Sequence, residues 1–155
     1  MNEMTDPDDW RQSLVQTLLP VGRVWRRAAG VAFEELGVSL AVAAPVITLQ
    51  RLGGGVRHNV LADEVGVDPA AMVRSIDQLE KAGYVERRPD PEDRRAKSLH
   101  LTASGRALAD RLQQAYVPFR NAVMADVTPE EAATALKVMM AVDAGARAWV
   151  RAEQD

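Results

Sequence analysis

The sequence predicts a mainly helical fold that carries one small two-stranded β-hairpin. Apolar residues recur at three- and four-residue spacings over most of the 155 residues, which is the period of amphipathic helices. Between residues 84 and 101 the period changes to two, because Leu99 and Leu101 alternate with Ser98 and His100. The fold class is therefore α+β with the helices dominant.

The first predicted helix covers residues 10–36, and Pro20 is expected to kink or break it. A second helix over residues 39–52 begins with a serine N-cap, contains Pro45, and stops at the three glycines of residues 53–55. These glycines mark the most obvious loop in the chain.

Two short helices follow. One covers residues 57–65 and stops at Gly66. The next begins at once, with Asp68 as its N-cap and Pro69 in the first helical position, and ends at Gly83.

The remaining elements are two strands and two long helices. Strands over residues 84–88 and 96–101 flank a turn-forming tip, PDPEDRR. A helix capped by Thr102 runs to about residue 126, with Pro118 as a bend. A capping box starts a last helix over residues 128–151.

Helix, tight turn, helix and hairpin in this order form a winged helix-turn-helix. A small residue, Ala62, lets a crossing helix approach, and Gly66 supplies the turn. The fourth helix has an apolar stripe on one side. Its other side carries residues suited to base edges in a major groove, together with small residues that permit close approach. These are Ala71, Arg74, Ser75 and Gln78.

The hairpin is locally basic although the chain has a formal net charge of −3. Residues 87–97 contain three acidic residues and five basic ones, Arg87, Arg88, Arg94, Arg95 and Lys97. An arginine at a protruding tip can enter a minor groove, and Asp93 could orient the Arg95 guanidinium. The alternative is a surface hairpin whose charges pair with one another.

The stretch LADEVGVDPAAMVRSIDQLEKAGYVERRPDPEDRRAKSLHLTASG resembles the MarR family of bacterial transcription regulators, and VRSIDQLEKAG, DRRAK and RVWR resemble its SlyA branch. The resemblance implies a homodimer that reads a pseudo-palindromic operator in double-stranded DNA. The implied wing pair is Asp93 and Arg95, with Arg95 in the minor groove. The implied recognition face is Pro69, Ala70, Ala71, Arg74, Ser75 and Gln78.

The resemblance also implies the domain organisation. Residues 37–102 would form the DNA-binding domain, and residues 1–36 and 103–155 a helical dimerisation region. The apolar side chains of the last helix agree with dimerisation, although they could instead pack against the chain's own first helix.

Proteins of this family bind small phenolic or aromatic carboxylate effectors, which predicts a ligand pocket here. The residues placed in it are Trp25, Arg26, Val46, Leu49 and Gln50. Such residues at helical spacing also suit an ordinary core. Pro45 and the glycines at residues 53–55 depart from the family pattern at the floor of this pocket.

Other classes of protein fit less well. The chain has no cysteine and only two histidines, so we expect no metal and no resident cofactor. It lacks the motifs of phosphate loops, zinc proteases and serine hydrolases, so we do not expect an enzyme. A winged-helix adaptor that does not bind DNA remains the alternative, since the acidic composition would suit it.

The cellular location is predicted from the lack of targeting and membrane-spanning patterns in the sequence. The acidic first ten residues lack the apolar core of a secretory signal, and no run of 18 apolar residues predicts a membrane span. We therefore expect a cytoplasmic protein that is nucleoid-associated when bound to DNA.

Overall fold

The computed structural model describes residues 9–93 and 95–153, and the fold class is as predicted. The helices and strands of this described part are α1 Asp9–Val31, α2 Leu40–Leu52, α3 His58–Val65, α4 Pro69–Lys81, β1 Val85–Pro89, β2 Lys97–Leu101, α5 Ala103–Val123 and α6 Pro129–Ala152. The chain packs as two compact units, one up to Phe119 and one from Arg120 onwards.

The prolines do not end their helices. Pro20 lies inside α1, and Pro45 and Pro118 lie inside α2 and α5. Of the predicted kink or break at Pro20 the break is wrong, because α1 continues past this residue; an interior proline removes one main-chain hydrogen bond without ending the helix. The first helix instead ends at Val31, and a short 3-10 helix occupies residues 34–36.

The predicted caps of α4 and α6 are confirmed, whereas Ser39 stands at the N-cap position of α2 without a capping hydrogen bond from its side chain. Asp68 Oδ1 accepts hydrogen bonds from the main-chain N–H groups of Ala70 at 2.8 Å and Ala71 at 3.3 Å, which fixes the start of α4. Thr128 and Glu131 form the reciprocal capping box that starts α6.

The two strands pair antiparallel, with Val85 opposite Leu101 and Arg88 opposite Ser98. Because opposed residues lie on the same face, Val85, Leu99 and Leu101 turn toward the core. All three are buried. Val56, in the segment before α3, forms an isolated antiparallel β-bridge with Leu99 and so pairs with the β2 side of the hairpin.

The core of the first unit fills the space between α2, α3, α4, the hairpin and α5. Its largest fully buried members are Phe33, Leu49, Leu61, Met72, Ile76, Leu79, Leu99 and Leu112. Each such side chain contributes about 1.5–3 kcal/mol by leaving water. The core thus holds α4 and the wing in a fixed relation.

The helix of the second unit has a different character. Side chains of α6 are exposed throughout, apart from the half-buried Val142. Among them are Leu136, Met140 and Trp149, at 60%, 65% and 70% exposure. Such apolar exposure marks a surface for association.

No single helix of the described residues is long and apolar enough to cross a membrane. The segments Trp10–Leu36 and Leu40–Leu52 meet the length and composition requirement only together, and they are bent by 93° relative to one another.

Candidate nucleic-acid interface

The six residues predicted for the recognition face lie together along one side of α4. Pro69, Ala70, Arg74 and Gln78 are exposed, while Ala71 and Ser75 are half-buried. Ser75 donates its hydroxyl proton to the Ala71 carbonyl at 3.3 Å, one turn back along the helix. The opposite side, with Met72, Ile76 and Leu79, is fully packed in the core.

Arg74 projects from this face without a restraint. Its side chain makes no ion pair or hydrogen bond with any residue of the described ranges. Its donors are therefore available to a ligand, and a planar guanidinium suits the two acceptors at a guanine edge.

Arg87, predicted as a DNA contact of the wing, forms ion pairs with two carboxylates of the protein. Its Nη2 lies 2.6 Å from Asp77 Oδ1, and its Nη1 pairs with Glu80. Both carboxylates belong to α4. The hydrogen bond from Arg87 to Asp77 is the largest of the effects that raise the Arg87 pKa. Arg87 thus braces β1 against α4, and its charge is balanced within the protein.

Arg88 is also paired internally. It bonds to Glu86 on the same strand. Because residues along a strand alternate between faces, Arg88 lies on the opposite face from Arg87 and therefore points away from α4.

An ion pair between the partly exposed Arg57 and the buried Asp90 fixes the base of the wing, and sequence reasoning missed it. Arg57 Nε donates to Asp90 Oδ2 at 2.8 Å, and Asp90 Oδ1 accepts from the main-chain N–H groups of Glu92 at 2.9 Å and Asp93 at 3.1 Å. Asp90 is only 8% exposed. The Arg57 hydrogen bond and then the Glu92 main-chain bond lower the Asp90 pKa to about 2.

Asp93 shapes the backbone that carries Arg95. Its Oδ1 accepts from the Arg95 main-chain N–H at 3.0 Å, and its carbonyl accepts from the Ala96 N–H at 2.9 Å. The expectation that Asp93 orients the Arg95 guanidinium is wrong for the described residues, among which the Asp93 carboxylate binds the Arg95 main-chain N–H and lies 3.9 Å from Arg57 Nη2. A short aspartate binds the nearby main chain more readily than a long side chain that points outward.

Arg95 is exposed, and its guanidinium has no ion pair within the described part of the chain. Lys97 is likewise exposed and unpaired there. Arg94, which was predicted to contact DNA, lies outside the described residues.

A basic groove of about 480 Å³ connects the wing to the start of α3. The side chains that line it include Arg95, Lys97, His58 and Asn59. None of its lining residues is acidic. The N-terminal N–H groups of α3 add partial positive charge at one end. The groove suits a phosphate backbone.

A second cavity, of about 300 Å³, is mostly apolar and lies between α1, α2, α3 and α5. Its aromatic lining residues are Trp25, Phe33 and Tyr116, of which Phe33 and Tyr116 stack with centroids 5.8 Å apart. Arg26 also lines the cavity, and its Nη1 donates to the Val65 carbonyl at 2.9 Å. Glu64, at the same cavity, pairs with Arg51 at 2.5 Å.

The predicted pocket residues do not share one cavity. Trp25 and Arg26 line the aromatic cavity, whereas Val46 is fully buried in the core. Leu49 and Gln50 line a different, smaller cavity. The predicted phase of α2 was wrong because successive helical residues are rotated by about 100°. The α2 residues at the aromatic cavity are Leu40, Ala44, Ile47 and Thr48.

Within the described residues no group of three or more His, Asp and Glu side chains could hold a metal ion.

Comparison with known proteins agrees with this geometry. Residues 47–97 match the MarR family. The structure of the transcriptional regulator PA3341 is 28% identical with a TM-score of 0.78, and the alignment covers 86% of this chain and 98% of that one. The Mycobacterium tuberculosis MarR family protein RV2887, solved with salicylic acid, is 28% identical with a TM-score of 0.63 and coverages of 81% and 93%. A mutant of Escherichia coli MarR, solved with operator DNA, has a similar fold at 22% identity, with a TM-score of 0.70 and coverages of 89% and 99%.

Proposed function

Because the chain belongs to the MarR family, we propose that it is a sequence-specific transcription regulator that binds double-stranded DNA as a homodimer. In this proposal α4 lies in the major groove, with the hairpin beside it. The MarR family consists of transcription regulators, and we assign this chain no catalytic role. Its assignment to the SlyA branch stays a prediction.

One observation carries the proposal above the others. The recognition face of α4 presents Arg74 and the wing presents Arg95, neither of which forms an ion pair with another described residue, while Arg57 and Arg87 are held in internal ion pairs. The internal ion pairs would hold α4 and the wing in a fixed position relative to one another. The arginines that have no ion pair among the described residues are left for bases and phosphates.

The contacts can be divided by kind. Arg74 and Gln78 would read base edges, and Arg95 would enter the minor groove beside the major-groove helix. Lys97, His58 and the N-terminus of α3 would hold phosphates along the basic groove.

The exposed apolar side chains of α6 suit a second copy of the chain. A homodimer would also determine the symmetry and spacing of the DNA site, because a two-fold axis places two recognition helices about one helical turn apart on the DNA. A pseudo-palindromic site is the natural target.

The aromatic cavity supports a small effector. Three aromatic rings would stack on an aromatic ligand, and Arg26 could bind its carboxylate in place of the Val65 carbonyl. Since RV2887 was solved with salicylic acid, an aromatic carboxylate is the class that we propose.

The test is a fluorescence-anisotropy titration of labelled DNA from upstream of the protein's own gene, with a shuffled duplex as control. We expect tighter binding to the upstream DNA, two chains per duplex by sedimentation, and weaker binding when salicylate is added. Equal affinity for the shuffled duplex would contradict sequence-specific recognition. No binding to either duplex at low salt would favour the adaptor alternative.

A further inference from the structure

The hairpin has a back face, turned away from α4, and a small cavity lies against it. In the register of the two strands Glu86 lies opposite His100, and Arg88 lies opposite Ser98. These four side chains therefore share the face of the hairpin that is opposite Arg87. The cavity has a volume of about 160 Å³. It shares no lining residue with the aromatic cavity or with the basic groove. We call it the back cavity.

Three basic side chains line the back cavity, together with the Gln50 amide, whose buried Oε1 has no hydrogen-bond partner among the described residues. Arg88 comes from β1, His100 from β2 and Arg106 from the first turns of α5. No acidic residue lines it, although Glu86 pairs with Arg88 at its edge. Three elements thus bring two guanidinium groups and an imidazole to one small space.

Both arginines retain donors for a ligand. Arg106 Nη1 donates to the Leu101 carbonyl at 2.8 Å, which anchors the guanidinium and leaves further N–H groups. Arg88 is 56% exposed, and among the described residues its guanidinium binds only Glu86. An exposed ion pair of this kind contributes little free energy, so an incoming anion can replace Glu86.

The glycines form the floor. Gly53 and Gly54 have φ values of +78° and +77°, a conformation that side chains rarely adopt. A Cβ on Gly54 would stand 3.3 Å from His100 Nδ1. The other ring nitrogen of His100 lies 3.0 Å from Ser98 Oγ, which orients the imidazole. Glycine at residue 54 therefore keeps the space beside the ring open.

We propose that the back cavity is a binding site for a small oxyanion, a phosphate group or a carboxylate, held by Arg88, Arg106 and His100. The forked donors of arginine match the oxygen geometry of both groups. The volume suits a compact ligand rather than an aromatic one. The site does not depend on DNA binding or on the aromatic cavity.

The chain carries its own reporters for a test. It has two histidines, and His58 lies in the basic groove while His100 lies in the back cavity. We would titrate the full chain with inorganic phosphate, and separately with acetate, at fixed pH and ionic strength. The imidazole signals would be followed by NMR.

We expect the His100 signal to shift and saturate while the His58 signal moves little. Saturation with phosphate alone would identify a phosphate ligand, and saturation with acetate alone a carboxylate. Arg88→Gln should weaken binding by a factor of about ten or more. Arg111→Gln, which removes an exposed arginine from α5, is the matched control and should leave binding unchanged.

Three results would overturn the proposal. The His100 shift could fail to saturate with either anion, the two histidines could shift in parallel, or the Arg88 and Arg111 variants could bind equally. A shift that does not saturate, or that is parallel at both histidines, would mean that anions are not bound at a specific site, and equal binding by the two variants would show that Arg88 does not hold the anion. Because DNA binding is measured separately, failure here leaves the regulator proposal intact.

Discussion

Arg57 and Asp90 lie 33 residues apart in the sequence, and a 2.8 Å hydrogen-bonded ion pair joins them. The pair connects the residue before α3 to the end of the first wing strand. Asp90 also accepts two main-chain hydrogen bonds from the wing tip. One carboxylate therefore sets the position of the tip that carries Arg95.

Asp90→Asn should lower the free energy of unfolding at neutral pH, because Arg57 would lose its charged partner. The folded-state pKa of Asp90 is depressed from 3.8 to about 2. Its contribution to stability is therefore fully present above about pH 4 and is lost as the pH falls toward about 2. Urea unfolding should show the gap between wild type and variant closing over this interval. Asp126→Asn, at an exposed position, serves as control; an equal effect there would contradict the role of the pair.

Arg95→Ala should weaken DNA binding by about 1–3 kcal/mol and leave unfolding nearly unchanged. The reason is that its guanidinium has no ion pair with the described residues. Anisotropy and urea unfolding measure the two effects. Unchanged DNA affinity at matched salt would refute the wing assignment.

Arg87→Ala should show the reverse pattern. Removing the brace to Asp77 and Glu80 should cost on the order of 0.5–1 kcal/mol of unfolding free energy, since the pairs are partly exposed. The loss of DNA affinity should be smaller than for Arg95→Ala. If the Arg87 variant lost as much affinity with its stability intact, Arg87 would be a direct DNA contact.

Arg74→Ala and Lys97→Ala should separate base reading from phosphate binding. The Arg74 variant should lose about 1–3 kcal/mol of binding free energy on the preferred operator. It should lose little on a duplex in which the base pair contacted by Arg74 has been changed. The Lys97 variant should weaken binding to all sequences alike and reduce the salt slope by about one. A uniform loss for Arg74→Ala would make it a phosphate contact.

Gly105→Ala should destabilise the junction between the wing and α5. An added Cβ would stand 1.9 Å from the Tyr84 carbonyl oxygen, so the backbone must shift, at a cost of at least about 1–3 kcal/mol. Gly22→Ala is the control, because nothing lies within 4 Å of its Cβ position. It should stabilise α1 by up to about 1 kcal/mol. Thermal unfolding that ranked the two variants the other way would contradict this packing.

Local signals in the sequence predicted most of the fold. Asp68 and Gly66 fix the ends of their helices through hydrogen bonds to residues within a few positions in the sequence, and Pro69 suits the first helical position. Residue type and spacing therefore suffice to place them. Of the kink or break predicted at Pro20 the break does not occur, because the loss of one main-chain hydrogen bond does not end a helix of 23 residues.

The candidate site was predicted less completely. The exposed face of α4 follows from helical periodicity. The partners of Arg57 and Arg87 do not, since they depend on which elements pack together. Val46 was assigned to a pocket but is core, because each step of one residue along α2 rotates the side chain by about 100° and so can turn it from the cavity into the core. Apolar residues alone do not reveal which face meets a cavity.

The most direct test of the account is the affinity for the upstream duplex measured at a series of salt concentrations. We predict specific binding whose logarithm falls linearly and steeply with the logarithm of salt, as counterions leave the phosphates. Affinity that is flat with salt, or absent at low salt, would contradict the assignment of α4 and the wing to DNA.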